Sequence, residues 1–423
     1  ELELREPGVA ATLNRRAAEW CEQNGASEEA IEYAFAGNDV ERAARLATAC
    51  SMSAYQSGRL ETACTWVERI DEAGLLGTYP AIAVMGAWGQ AASGHPAEAE
   101  RWAAAAERSS SAEPPPDGSP TIEPWVATLH ANMCRHGVEQ MRADAERALE
   151  LAPGWSFVRP IASLALGISF VLSGDDERAD EVLTETTDAA KELDMHGQRS
   201  FALAERSLLA SARGDFASAG QLAQESQQVV RDAGLEDYMT SATTYAALGE
   251  VALHQGELPR AQEQFARADR LRPLLTYFLP YLAVQIRLEL VRGRIACGDA
   301  GGARGLLREV DQVLRQVPGL GVLAEQAGEL RDQAEAMRTL SGDWAPLLTE
   351  AELRVLPLLA THLTIAEIAQ HQNVSRATIK TQAISIYRKL EVTKRGEAIE
   401  QAAALGLIDS AAVPRTRDFV LSG

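Results

Sequence analysis

The side chains with the most specific chemistry lie between Ser375 and Arg395, where a run of small, hydroxyl and basic residues alternates with apolar ones. At 100° per residue, Ala377, Thr381, Ile384 and Arg388 share one side of a helix, with Lys380 and Ser385 at its margins. Ile379, Ala383, Ile386 and Leu390 share the other. A helix of this width enters a DNA major groove, its N-terminal turn meeting base edges and its basic side chains meeting phosphate. The candidate DNA contacts are therefore Ser375, Thr378, Lys380, Thr381, Ile384, Arg388, Lys389 and Arg395, although Arg395 is equally placed to cap a preceding turn.

Three elements must hold that helix in place. Thr349 precedes Glu350 and Glu352 and is suited to cap a first helix with Leu353, Leu356 and Leu359 at helical spacing. Thr364 and Glu367 form a capping box for a second, carrying Ile365, Ile368 and Ala369. After QHQNV the chain restarts at Ser375, the N-cap of a third helix that runs to about Leu390. A fourth, with Ala398, Ala402 and Leu405, offers a dimer surface. Charge singles out the same place. Residues 347–409 hold seven Lys/Arg and seven Asp/Glu, yet residues 375–395 hold six basic residues against Glu391 alone. The first 346 residues carry 31 basic and 52 acidic side chains, so only this patch can approach a polyanion.

Leu348-Thr349, Glu352, Val355-Leu356, Glu367-Ile368-Ala369, Ser375, Thr378-Ile379-Lys380, Ile386-Tyr387-Arg388-Lys389-Leu390 and Arg395 to Ala398 together resemble the LuxR-type helix-turn-helix. The chain departs from that family at Glu350-Ala351, His362, Gln382, Ile384 and Glu391, where the family usually has Pro-Arg, Gly, His, a basic or polar residue, and Gly. The resemblance implies DNA reading with Lys380 and Thr381 at base edges, and Ile384 then meets a thymine methyl or a protein. A four-helix domain so altered can instead serve as a packing or dimerisation module.

The preceding residues repeat a different pattern. A glycine turn followed by an alanine-rich helix recurs at Gly58, Gly94, Gly137, Gly174, Gly214, Gly256 and Gly298, at separations of 36 to 43 residues. Neither helix of a unit buries its apolar face alone, so the units must stack into a superhelical array with a curved inner surface. The period is longer than that of the usual tetratricopeptide repeat, yet the pattern resembles that class. Trp125, Trp155, Tyr238, Tyr277 and Phe278 are the aromatic candidates for contacting a small-molecule or protein effector there; an aromatic in such an array is otherwise core. The expected fold is all-α, a tetratricopeptide-like array over 37–338 and a four-helix domain over 347–409, joined by a linker at 339–346 that holds Trp344. A tail occupies 410–423. The run from Ser109 to Pro124, with three consecutive prolines, should form a mobile surface loop.

Residues 1–36 resemble the segment that follows the winged-helix part of large MalT-like ATP-dependent LuxR regulators, through Ala18, Trp20, the Gly25 turn and Glu29-Ala30. That resemblance implies an N-terminal nucleotide-binding module in the parent protein, to which ATP would bind, and assembly into a homodimer or higher homo-oligomer on activation. No GxxxxGK[ST] loop occurs in this chain, so no cofactor is expected in it. Nothing resembles HExxH, GxSxG, CxxC or a paired carboxylate with a matching base, which argues against an enzyme. The five cysteines are odd in number and widely spaced, which fits a reducing cytoplasm, and no apolar run is long enough for a membrane span.

Overall fold

Alanine at fixed distance from a turn glycine sets the packing of the array. Six of the seven repeat glycines are among the described residues, and all adopt positive φ, from 72° at Gly174 to 89° at Gly137. This left-handed conformation reverses the chain between helices without the steric cost a Cβ would bring. Five residues after each of Gly94, Gly174, Gly214, Gly256 and Gly298 stands an alanine, and Ala99, Ala179, Ala219, Ala261 and Ala303 are all fully buried. The small side chain lets the second helix of each hairpin lie close against the first.

The computed structural model describes residues 8–56, 60–109, 114–340, 348–361, 363–372, 374–390, 392–404 and 407, and among them the chain is all-helical, with 21 α-helices and no strand. Gly58, Trp344 with residues 341–346, His362, Glu391, Leu405 and the tail 410–423 lie outside the described residues. The hairpins are α1 (Val9–Gln23) with α2 (Ser27–Ala36), α3 (Val40–Gln56) with α4 (Leu60–Glu72), α5 (Pro80–Ala92) with α6 (Pro96–Glu107), and α7 (Glu123–Met133) with α8 (Val138–Leu151). They continue as α9 (Val158–Ser173) with α10 (Asp176–Glu192), α11 (His196–Ala212) with α12 (Phe216–Asp232), α13 (Ser241–His254) with α14 (Leu258–Leu271), and α15 (Pro280–Ala296) with α16 (Ala300–Gln316). α17 (Val322–Leu340) follows.

Two compact units meet at Arg331 and Asp332, within α17. α1 and α2, set apart in sequence as residues 1–36, belong to the first unit, and α17 continues through the first two residues of the expected 339–346 linker.

Within the first unit, the first helices of successive hairpins touch one another in the order α7, α9, α11, α13, α15. They are buried nearly all round: every residue of α13 from Ser241 to Gly249 is buried, and so is every residue of α15 from Pro280 to Ile286. The second helices carry one buried stripe each, such as Ala261, Phe265 and Ala268 on α14. The inner row therefore reads as continuous apolar sequence and the outer row as amphipathic sequence.

The row winds tightly enough for its later turns to meet its earlier ones. A Cβ added at Gly94 would lie 3.3 Å from the Pro273 carbonyl, and one at Gly319 would lie 3.0 Å from Gly137 Cα. At Gly321 a Cβ would fall 1.8 Å from the Leu172 carbonyl, and its φ is 54°. Tyr281 Oη donates to Asn132 Oδ1 at 2.9 Å and Gln285 Nε2 to Glu205 Oε2 at 2.9 Å, so α15 bonds to α7 and α11 across the interior.

The expected loop from Ser109 to Pro124 is tied down where it is described. The Asp117 carboxylate accepts from the Ser119 amide at 3.0 Å, from the Ser119 hydroxyl at 2.9 Å, and from Ser156, while Trp155 Nε1 donates to the Asp117 carbonyl at 3.2 Å. A carboxylate with three donors ties the turn after the prolines to Ser156.

Gly321→Ala is expected to lower the stability of the array by about 2–4 kcal/mol, since backbone must shift to admit the methyl and the residue must hold a left-handed conformation. Gly328→Ala, on the open face of α17 with nothing within 4 Å of the added Cβ, should leave stability unchanged or raise it by up to about 1 kcal/mol. Chemical denaturation of the two variants beside the parent chain measures the difference.

Candidate functional site

In the second unit, three caps set three helices at the starts read from sequence. Thr349 Oγ1 accepts from the Glu352 amide at 3.3 Å, and Glu352 Oε2 accepts from the Thr349 amide at 2.5 Å, a closed capping box before α18 (Glu350–Leu359). The Thr364 and Glu367 box repeats this before α19 (Ile365–His371). Ser375 Oγ accepts from the Thr378 amide at 3.1 Å to begin α20 (Arg376–Lys389). α21 (Arg395–Ala404) closes the set.

Ile379, Ala383, Ile386 and Leu390 of α20 are buried against Val355, Leu356, Leu359, Ile368 and Ala369. Leu353, placed on the core face by its spacing, is instead 41% exposed. Val355 and the Glu352 carboxylate occupy the core side of α18, which turns Leu353 outward. Ala398 and Ala402 are wholly buried in this same core, so these two side chains supply no dimer surface; the expectation is corrected for them, because the fourth helix packs its small face on the first and third.

With that face committed, the other side of α20 is open. Lys380, Thr381 and Arg388 are exposed, and Ile384 is 56% exposed. Lys380 and Arg388 make no hydrogen bond or ion pair with any described residue. The Thr381 hydroxyl donates to the Ala377 carbonyl at 3.0 Å and keeps its lone pairs outward. Ser375 and Thr378 bond to each other through their hydroxyls at 2.8 Å while capping the helix.

Two of the candidate contacts are engaged inside the domain. Lys389 Nζ lies 2.7 Å from Glu352 Oε2, a pair with 21% and 5% of its side chains exposed. Arg395 donates through Nε and Nη2 to the Leu359 and Thr361 carbonyls, each at 2.8 Å, and so takes the capping role at the end of α18. Both bind α18 to later helices. No sequence periodicity marks the Lys389 pairing, since its partner is 37 residues away.

The aromatic candidates fall into different places in the first unit. Trp125 and Tyr238 line one narrow cleft of about 50 Å³ with Trp88, Phe157, Phe201 and Tyr281. Trp125 stands edge-on to Phe157 with centroids 4.8 Å apart, and its indole Nε1 is buried without a partner among the described residues, as is Thr240 Oγ1 on the same wall. Phe278 is 1% exposed and packs edge-on to Trp88 from behind. Tyr277 is half-buried outside the cleft, its phenol pushed up by burial and by Glu100 and Glu98. Trp155 is 73% exposed and rests on the loop at Asp117. Trp88 and Phe201 were not singled out in sequence; only their place on inner-row helices would have found them.

The family profile of the MalT-like TPR region matches residues 125–377, more than half of the chain. No curated protein matches. Among solved structures, yeast Tom70 aligns at 14% identity over 96% of each chain with a TM-score of 0.22, a likeness that bears no weight on the fold. No helix among the described residues is long and apolar enough to cross a membrane.

Burial pushes the Glu352 carboxyl up, but Lys389, the Thr349 amide and the Ser385 and Thr349 hydroxyls outweigh it and bring it down to about 2. A depressed carboxylate adds stability above its unfolded value, near 4.5, and loses it as pH falls from there toward 2. Glu352→Gln should therefore cost the second unit roughly 2–3 kcal/mol at neutral pH and flatten its acid unfolding between those values. Circular dichroism of the full chain across that range checks both outcomes.

Proposed function

The chain belongs to the MalT-like TPR-region family, and on that premise we propose that it is a DNA-binding transcription regulator in which the helical array senses an effector and controls the C-terminal helix-turn-helix. The observation that carries this reading is α20 itself. Its core face is fully buried, its Ser375 cap fixes the first turn, and Lys380, Thr381, Ile384 and Arg388 stand together on the open side. An exposed isoleucine among basic and hydroxyl groups suits a groove that presents a thymine methyl beside acceptors and phosphate. In this reading Lys389 ties α20 to α18 through Glu352 and Arg395 ties α21 to the end of α18, which makes both positioning residues of the reader.

In this reading the array needs no catalytic residue, and ATP belongs to a nucleotide-binding module outside this chain. The aromatic cleft with the unpartnered Trp125 indole is one place where an effector can gain more in one state of the array than in another, which is what regulation requires. Assembly into a dimer would let two copies of α20 read paired half-sites.

Footprinting of the full chain on genomic fragments at fixed salt tests the reading. Lys380→Ala should weaken selective binding about tenfold, by 1–2 kcal/mol, while leaving the fold intact. Arg388→Ala should weaken all sequences alike and reduce the salt slope by about one. A folded chain that retains no fragment selectively would instead favour a helical-repeat scaffold.

A further inference from the structure

We propose that a second cavity on the inner row, lined by Glu205, Glu250, Glu289 and Ser211 and distinct from the aromatic cleft, is a binding site for an organic cation bearing an ammonium or guanidinium group. The cavity encloses about 390 Å³, within the range of small-molecule sites. Its polar floor is built from three inner helices: Glu205 on α11, Glu250 on α13, and Gln285, Glu289 and Arg292 on α15. Leu208, Leu209, Val322 and Leu323 supply an apolar wall.

Glu205 is the anchor. The residue is 1% exposed, its Oε2 accepts from Gln285 Nε2 at 2.9 Å, and its Oε1 is buried with no partner among the described residues. The Ser211 hydroxyl in the same cavity is likewise buried and unpartnered among the described residues. A buried carboxylate oxygen left without a donor is costly, and a donor entering the cavity removes that cost. The one base present is already committed, since Arg292 pairs with Glu289 at 2.6 Å and donates to Gln326 at 3.3 Å. Glu250 makes no hydrogen bond or ion pair with any described residue. With Asp176 also on the lining, four acids face one arginine, so the missing group is a positive one.

The apolar wall decides which kind of cation. Leucine and valine side chains repel a hydrated metal ion but pack on an alkyl or aryl tail, and no three His, Cys, Asp or Glu among the described residues converge on a point that could hold a metal. The occupant is thus a hydrocarbon body with one strongly donating head.

Burial holds Glu205 up at about 7, with Gln285 opposing and Glu289 adding to it, and holds Glu289 up at about 6 against the pull of Arg292. The polar groups that line the cavity with Glu205 are Gln285, Glu289 and Arg292 from α15, Glu250 from α13, Ser211 from α11, Gln326 from α17 and Asp176 from α10. An arriving cation favours the ionised carboxylates and so drives protons out.

Use of this cavity for effector sensing rests on the regulator reading, but the site itself does not, and its test contains no DNA. Isothermal titration of the full chain with butylammonium, phenethylammonium and butylguanidinium, each beside the matching neutral alcohol, is the experiment. At least one cation should bind tenfold or more tighter than its alcohol. Titration at about pH 6.5 in two buffers of different ionisation heat should show release of roughly half to one proton per site. Glu205→Gln should lose that binding tenfold or more, and the proton release in the parent chain keeps the test decisive if this variant does not fold. Equal binding of cation and alcohol, no binding by any of the three cations, or cation binding without proton release would overturn the proposal.

Discussion

Backbone contact between distant turns governs the first unit. Helical repeats pack only on their neighbours by default, and an open array offers a shallow groove in which a small molecule stays wet. Here Gly319 lies close against Gly137, and Gly321 meets the Leu172 carbonyl at a separation that no side chain could share. That approach brings α15 across the interior to bond with Asn132 and Glu205. The groove is thereby divided into two cavities along α15, an aromatic one on the Tyr281 side and an acidic one around Glu289.

The two units use buried glutamate in opposite ways. Glu352 has a lysine, an amide and two hydroxyls, and its carboxyl falls to about 2. Glu205 has one amide donor, and its carboxyl rises to about 7. A depressed carboxylate stabilises from its unfolded value upward in pH, whereas a raised one stabilises below its unfolded value and that contribution fades as pH climbs through the folded one. Between about 4.5 and 7 the second unit has its full contribution while the first unit is losing part of its own. The difference follows from burial first, which is deeper at Glu205, and then from the number of donors, which is greater at Glu352. It separates a glutamate that serves as a structural clasp from one that is held short of partners.

Much of this was legible in the sequence because it is written in local rules. The repeat glycines, the Thr349, Thr364 and Ser375 caps and the buried face of α20 all follow from spacing within a few turns of one helix, and each appears where that spacing places it. What failed was tertiary. Leu353 reads as core until Glu352 is known to turn inward toward Lys389, and Ala398 reads as surface until it is seen beneath α20. Trp125 and Tyr238 share a cleft while Trp155, also a tryptophan in the array, rests on a loop. Which aromatic lines a lumen depends on superhelical pitch, and no window of one repeat carries that quantity. The acidic cavity was invisible for the same reason, since Glu205 and Gln285 stand 80 residues apart.

Regulation by such an array requires more than a place to bind. A ligand that meets the same partners in every state of the protein shifts no equilibrium, however tightly it is held. The acidic cavity has walls from α11, α13, α15 and α17, elements from different hairpins, so any change in winding alters the distance between Glu205, Glu250 and Leu323. A ligand spanning those walls is sensitive to that distance, because a charged head and an apolar tail must both be satisfied at once. Val322, Leu323 and Gln326 open α17, the helix within which the chain passes from one unit to the next. A ligand that favours one winding therefore acts on the element that leads toward the C-terminal unit, and the coupling it produces is bounded by its difference in affinity for the two windings.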